Sequence, residues 1–374
     1  MKKKIVTLCL ILSLFGCQLQ TYNPRTDISK DNTSYLAKND PYYQSKIEKA
    51  KDTTSNYINK DVSNLSLNLK KFKYSIFNKN TVFTDQQKEK LQIDTLIELG
   101  KNPGLNLTSI HNNNINGSGI DIAIISGDIN YKHPEIKESI QSFERIHSYE
   151  DCTSLVGMEA ASIIAGKTTG VAPKANLYFY NCAFTNADKK INLQYATQCI
   201  QRIIKHNKKA KDKIRILVLG IGLSKEDSGY SDYKKAIKEA NDNHILVLYP
   251  GMEIDSILLT TLKRDPLKNP DDIHSYEIAS SYGDFIGYNR IAIPGGQRTV
   301  AGITSNDDYC YDGTINNNAS VYWLAGLFAL CLQINPNLTS QDLFRLIYNT
   351  GDEMDQDYKA HAVNPTQLIQ ELTR

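Results

Sequence analysis

Residues Asn316 to Thr339 read NNNASVYWLAGLFALCLQINPNLT, and from Ala319 to Leu332 every residue except Ser320 is apolar. A helix that is apolar all round is enclosed all round. The run is shorter than the about 20 residues needed to cross a bilayer. It therefore predicts a central helix buried inside a large domain. Asn316, Asn317 and Asn318 offer caps for its start. Asn335-Pro336 ends it, and Thr339 can cap a second, amphipathic helix over SQDLFRLIYNT.

Upstream of that run, from Gly117 onward, strand and helix patterns alternate. Strands are expected at Ile120–Ile125, Ala175–Tyr180, Ile214–Leu219 and His244–Tyr249, with a shorter one at Arg290–Ile293. Helices are expected at Leu155–Ala165, Ile191–Asn207 and Ser231–Asn241. Strands that are nearly all apolar and separated by helices imply an α/β domain, a parallel sheet covered by helices on both faces. Ligands of such sheets sit outside the carboxyl ends of the strands. The residues that matter should therefore follow Ile125, Tyr180, Leu219 and Tyr249.

The chain opens on MKKK and the apolar stretch IVTLCLILSLF, followed by Leu14-Phe15-Gly16-Cys17. A positive segment, a short apolar segment and a small residue before Cys resemble a bacterial lipoprotein signal. That resemblance implies residues 1–16 as a removed signal peptide, Cys17 as a lipidated residue, and a chain held on a membrane face of the cell envelope by an anchor rather than a spanning helix. Residues 17–100 are expected to be a largely irregular tether with weak helices, one around Tyr43–Ile58. A better one covers TDQQKEKLQIDTLIELG, with Thr84 and Gln87 as a capping box and Gly100 as its stop. Residues 101–374 are left for the domain. The net charge of +2 gives no reason to expect nucleic acid, and the lysines of Lys205–Lys213 read as a solvated loop.

Five cysteines follow Cys17, with no CxxC spacing and no His at ligand spacing, so no metal site is expected. Cys199 and Cys331 fall in apolar helix patterns and read as core thiols. Cys152, Cys182 and Cys310 are disulfide candidates if the chain is exported.

Four segments in order resemble the subtilisin-like serine peptidase family. NGSGIDIAIISGDINYKHPEI (Asn116–Ile136) is similar to that family's Asp-bearing strand and turn. VGMEAASIIAGKTTGVAPKANLYFYNCAF (Val156–Phe184) is similar to its His-bearing helix followed by Gly-Val-Ala-Pro. ILVLYPGME (Ile245–Glu253) is similar to the strand leading to its oxyanion Asn. The Asn316–Thr339 run is similar to the helix that carries its nucleophilic Ser. The resemblance spans about Leu105 to Asp352 and implies a subtilisin-like fold with no cofactor.

Carried over position by position, the family's catalytic Asp, His and Ser fall on Ser126, Val156 and Asn318, and its oxyanion Asn on Met252. Asn318 has no nucleophilic oxygen to activate. Val156 can neither take nor give a proton, and Ser126 lacks the charge that steadies an imidazolium. Met252 has no side-chain N–H for an oxyanion, a role worth about 2.7–4 kcal/mol where present. A rearranged set would have to draw on Asp128, Glu159, Ser154 and Ser320. A shift of two positions turns a helical side chain by about 200°, so Ser320 should point into the core. Glu159 reads as a helix-face carboxylate bonded to solvent or backbone. Gly220, Ile221 and Gly222, in GIGLS (Gly220–Ser224), resemble the family's substrate-binding strip, and Cys152 and Cys182 would flank the same cleft and could be bridged. The expectation is an exported, lipid-anchored pseudoprotease that binds a peptide or protein partner or scaffolds an active protease. The alternatives are a serine endopeptidase with rearranged residues and a structural envelope lipoprotein.

Overall fold

The computed structural model describes residues 55–147, 153–185, 190–222, 224–279, 289–355 and 359–374, together with the two-residue strands Thr21–Tyr22 and Glu48–Lys49. The proposed signal peptide, Cys17, Cys152 and Leu223 lie outside the described residues.

In chain order the elements used below are β1 (Thr21–Tyr22), β2 (Ile76–Asn78), α1 (Asp85–Leu91), α2 (Ile93–Lys101), β3 (Asp121–Ser126), β4 (Ile140–His147), α3 (Leu155–Ala165), β5 (Asn176–Cys182), α4 (Gln194–Lys209), β6 (Ile214–Leu219), α5 (Tyr230–Asp242), β7 (Leu246–Leu248), β8 (Ile257–Arg264), β9 (Asn289–Pro294), β10 (Arg298–Ala301), β11 (Tyr309–Asp312), α6 (Asn317–Ile334) and α7 (Ser340–Thr350). The main sheet has the order β1-β4-β5-β3-β6-β7. Its strands β4 to β7 run parallel, and only β1 is antiparallel, against β4. Within β3, Ile122 and Ile124 join a core built with α3 and α6, whereas Ala123 and Ile125 join one built with α4 and α5. Alternate residues of a strand face opposite sides, so the expected two-sided covering is present.

The central helix forms as its composition requires. Asn316 Oδ1 accepts from Ala319 N at 2.7 Å and caps α6. Fourteen consecutive residues, Ala319 to Leu332, are buried. Gly326 lets α6 lie against the chain after α3, since a Cβ there would stand 2.5 Å from Val171 Cβ. The expected caps of α1 (Thr84 with Gln87) and α7 (Thr339 with Asp342) are both present as capping boxes.

The N-terminal third departs from expectation. From residue 55 on, the chain is built into the domain and is no tether. β2 pairs antiparallel with β11, Phe77 opposite Tyr311. Tyr57, Val62, Phe72, Phe77, Leu91, Ile93 and Leu96 form a separate core with Tyr311. Of the helix expected around Tyr43–Ile58, the described residues are not helical: Glu48–Lys49 run parallel to Lys60–Asp61, and Tyr57 N donates to Ile76 O. Nor does Gly100 stop a helix. The break comes at Gln92, which takes φ 52° between α1 and α2. Gly100 is needed for contact instead, as a Cβ there would meet Thr299 Oγ1 at 2.5 Å. The boundary expected at residue 100 therefore cuts through a packed unit.

Candidate functional site

The strands β3 and β6 end side by side, and the start of α6 comes down on them. Ser126, last residue of β3, is 1% exposed and lies on the face that packs against α6. Gly220 follows β6 and donates its N–H to Ile125 O at 3.1 Å. Asn318, in the first turn of α6, donates from Nδ2 to Gly220 O at 3.4 Å. One turn further, Tyr322 brings its hydroxyl to the same spot. A Cβ on Gly220 would lie 3.3 Å from Tyr322 Oη and 3.4 Å from Ser126 Oγ. The Ser126 and Tyr322 hydroxyls face each other beyond formed hydrogen-bond geometry, and neither has another partner among the described residues. Ser126, Gly220, Asn318 and Tyr322 thus form one cluster, with Ile221 and Gly222 continuing half-buried along its edge.

Val156 does not join that cluster. It sits at the second position of α3 and is 43% exposed. The start of α3 instead presses its backbone on the turn after β3, because Gly157 has no Cβ. Such an atom would stand 2.3 Å from Gly127 O and 2.4 Å from Asp128 O. Met252 is buried in the core behind β7.

Asp128 is 3% exposed. Its Oδ2 receives Arg145 Nε at 2.9 Å and Nη2 at 2.7 Å, and its Oδ1 receives Ile129 N. A carboxylate held bidentately in this way is a structural charge. Ser320 is buried with Oγ 3.1 Å from both Thr261 Oγ1 and Ile293 O, turned towards β8 and β9 as the helical rotation predicts. Glu159 differs from its expected reading. It is 5% exposed, and its Oε1 accepts from the side chain of Asn316, Nδ2 at 3.1 Å. Burial raises its carboxyl to about 8, and the nearby Asp312 carboxyl pushes the same way. At neutral pH Glu159 is therefore an acid with no free negative charge. Its proximity also adds to burial in raising the Tyr322 hydroxyl.

The histidines lie in other roles. His133 and His111 bond through Nε2 to the carbonyls of Asp308 and Val171, and His147 stacks on Tyr195 at 3.7 Å. Of the Cys152–Cys182 pair, Cys152 lies outside the described residues. Cys182 ends β5 pointing to the α4 face, where its thiol is free, buried and paired with that of Cys199. Cys310 and Cys331 are likewise buried free thiols.

Tyr322, Asn316 and Asp312 are parts of this site that the sequence does not announce. Tyr322 hides in an apolar run, and only its spacing of four from Asn318 puts it on the same helix face. The arrangement offers a half-buried strip of backbone and amide groups over two buried hydroxyls. Among the described residues it offers no base hydrogen-bonded to either hydroxyl.

Residues 117–249 match the family model described as the subtilase family. No curated protein matches the chain. Among solved structures, the prenylagaramide maturation protease PagA is similar at 17% identity, over 71% of this chain and 98% of that one, with TM-score 0.50. A structure of the subtilase cytotoxin SubAB assembly is similar at 13% identity, over 72% and 94%, with TM-score 0.54. Both likenesses are of fold, and they agree with a parallel sheet enclosing a central helix after β9. The chain therefore has a subtilisin-like fold, and its residues 117–249 resemble the subtilase family.

Proposed function

We propose that this protein is an exported, lipid-anchored pseudoprotease, whose subtilisin-like domain holds a peptide or protein partner along Gly220–Gly222 without cleaving it. One observation carries the reading. Where the family resemblance puts the nucleophile, the side chain is the Asn318 amide, donating to Gly220 O. The Ser126 and Tyr322 hydroxyls are buried beneath it and bond no base among the described residues. A hydroxyl becomes a nucleophile only when a positioned base removes its proton. Glu159 bonds Asn316 Nδ2 rather than either hydroxyl, and it holds its own proton at neutral pH. Asp128 is neutralised by Arg145.

The edge after β6 remains suited to an extended chain. Its backbone groups are half-buried, and main-chain hydrogen bonds give affinity in such strand addition. The apolar start of the chain and Cys17 supply the anchor in this reading. A fluorophosphonate probe tests the loss of catalysis. The purified protein should show no added mass under conditions that label an active subtilisin fully. A single adduct mapped to any serine would overturn the proposal and point to a serine hydrolase with rearranged residues.

A further inference from the structure

Behind the start of α6, away from the edge of the main sheet, two arginines are buried together. Arg264 ends β8 and Arg298 begins β10, and each is 6% exposed. Every hydrogen bond found for their guanidinium groups goes to a backbone carbonyl. Arg264 donates to Asp265, Pro266, Lys268 and Gln297, and Arg298 to Pro103. Neither forms an ion pair among the described residues. The nearest carboxylates are engaged elsewhere, Asp265 by Lys73 and Asp271 by Asn102 and Asn106. Glu159, also near Arg298, is protonated at neutral pH. Burial lowers Arg298 to about 10, and the Arg264 charge adds to that, yet the group stays cationic at physiological pH.

Gln297 lies between them, 1% exposed and with φ 55°. Its Oε1 accepts from Arg264 N at 2.6 Å, which fixes which end of the amide is which. That leaves Gln297 Nε2 without a partner, and Arg298 Nε has none either. These groups and the Gly295-Gly296 turn line a cavity of about 10 Å³. Such a volume takes a single small occupant. Tyr276 Oη donates to Pro270 O and keeps a lone pair that could accept from a water, but a neutral occupant would leave both guanidinium charges without a counter-charge. What the wall presents is unpaired N–H and positive charge, which suits an anion. A monatomic anion matches so small a space more closely than a tetrahedral oxyanion does.

We propose that this cavity is a binding site for a single halide ion, chloride under ordinary conditions, held by Arg298 Nε and Gln297 Nε2 beside the Arg264 guanidinium. The site bears on the groove above it. A Cβ on Gly295 would stand 2.9 Å from Asn316 O, and Thr314 packs directly on Gly296. The cavity wall is thus the support of the segment that presents Asn316 and Asn318, and a bound halide would stiffen it.

The test uses the full chain, purified in potassium gluconate. Thermal unfolding is followed as chloride or bromide replaces gluconate at constant ionic strength. A site linked to folding should raise Tm by about 2 °C for each tenfold rise in halide above its dissociation constant. Sulfate should give no such saturable rise. Crystals grown with bromide should show an anomalous peak about 3.3 Å from Arg298 Nε and Gln297 Nε2, a hydrogen-bonding distance for so large an ion. Arg298→Met should abolish the halide dependence. Should that variant fail to fold, Gln297→Leu and the bromide peak in the native protein decide the matter. Equal Tm in chloride and gluconate, with no bromide peak in the cavity, would overturn the proposal.

Discussion

Glu159→Gln should leave the protein clearly more stable than the native form at pH 8 and only slightly more stable at pH 5, with the difference vanishing below about pH 4. The folded carboxyl titrates at about 8, against an ordinary value of 4.5. Below 4.5 it is protonated whether the chain is folded or not, and no difference arises. Between the two values the folded state keeps a proton that the unfolded state has released. Stability then falls as pH rises, by up to about 1.4 kcal/mol for each unit. Glutamine mimics the protonated acid and can still accept from Asn316 Nδ2, so the variant should lose that slope. The groups facing position 159 are Asp312, Arg298, Asn316 and Tyr322. Asp312 is raised as well, by burial, although Thr314 N and Oγ1 bond its Oδ1. A residual slope from Asp312 should therefore persist in the variant. Urea unfolding at pH 5, 6, 7, 8 and 9 measures both proteins. Parallel curves would mean that Glu159 is ionised in the fold, and would return it to the pool of possible bases.

Trp323→Ala should cost about 3–5 kcal/mol, the range for emptying a large aromatic site in a core. Trp323 is wholly buried at the middle of α6. Its Nε1 donates to Pro103 O at 2.9 Å, and the same carbonyl receives Arg298 Nη2 at 2.8 Å. The substitution thus opens a cavity and loosens the chain just after α2. Denaturant unfolding should show a large fall in midpoint with little change in slope. Val156→Ala serves as the control. That side chain is 43% exposed, so its loss should stay within about 0.5 kcal/mol. A Trp323→Ala cost below 1 kcal/mol would mean that α6 is not the packing centre of the domain.

The parts of the fold legible in the sequence are those whose burial is locally complete. Ala319–Leu332 is apolar on all sides, so its position at the centre follows from the run alone. Strand β3 was expected at Ile120–Ile125 and lies at Asp121–Ser126, because two apolar faces leave a short strand no other place. Residues 55–101 gave no such signal. Tyr57, Phe72, Phe77 and Leu91 follow neither a period of 2 nor one of 3.6, and the core they form is completed by the distant Tyr311. Glu159 shows the same limit at the site. The helix that carries it was foreseen, but its burial depends on Asn316 and Asp312, which no local pattern links to it. Cys182 was placed beside the cleft by strand position, while the alternation of side chains along β5 turns it to the other face, towards Cys199.

The pairing of β2 with β11 also governs how the molecule is assembled in time. Thr299 Oγ1 reaches Ile97 O across 202 residues, and Tyr311 Oη reaches Lys73 O across 238. The early segment emerges from the ribosome long before the strand that completes it. Its ring cluster of Tyr57, Phe72, Phe77 and Phe83 must stay uncovered for most of synthesis. Contacts so distant along the chain slow folding and prolong the exposure of apolar surface. Closure of that seam is thus a late event, and a chaperone that recognises exposed aromatic segments would find its longest-lived target at the beginning of the domain.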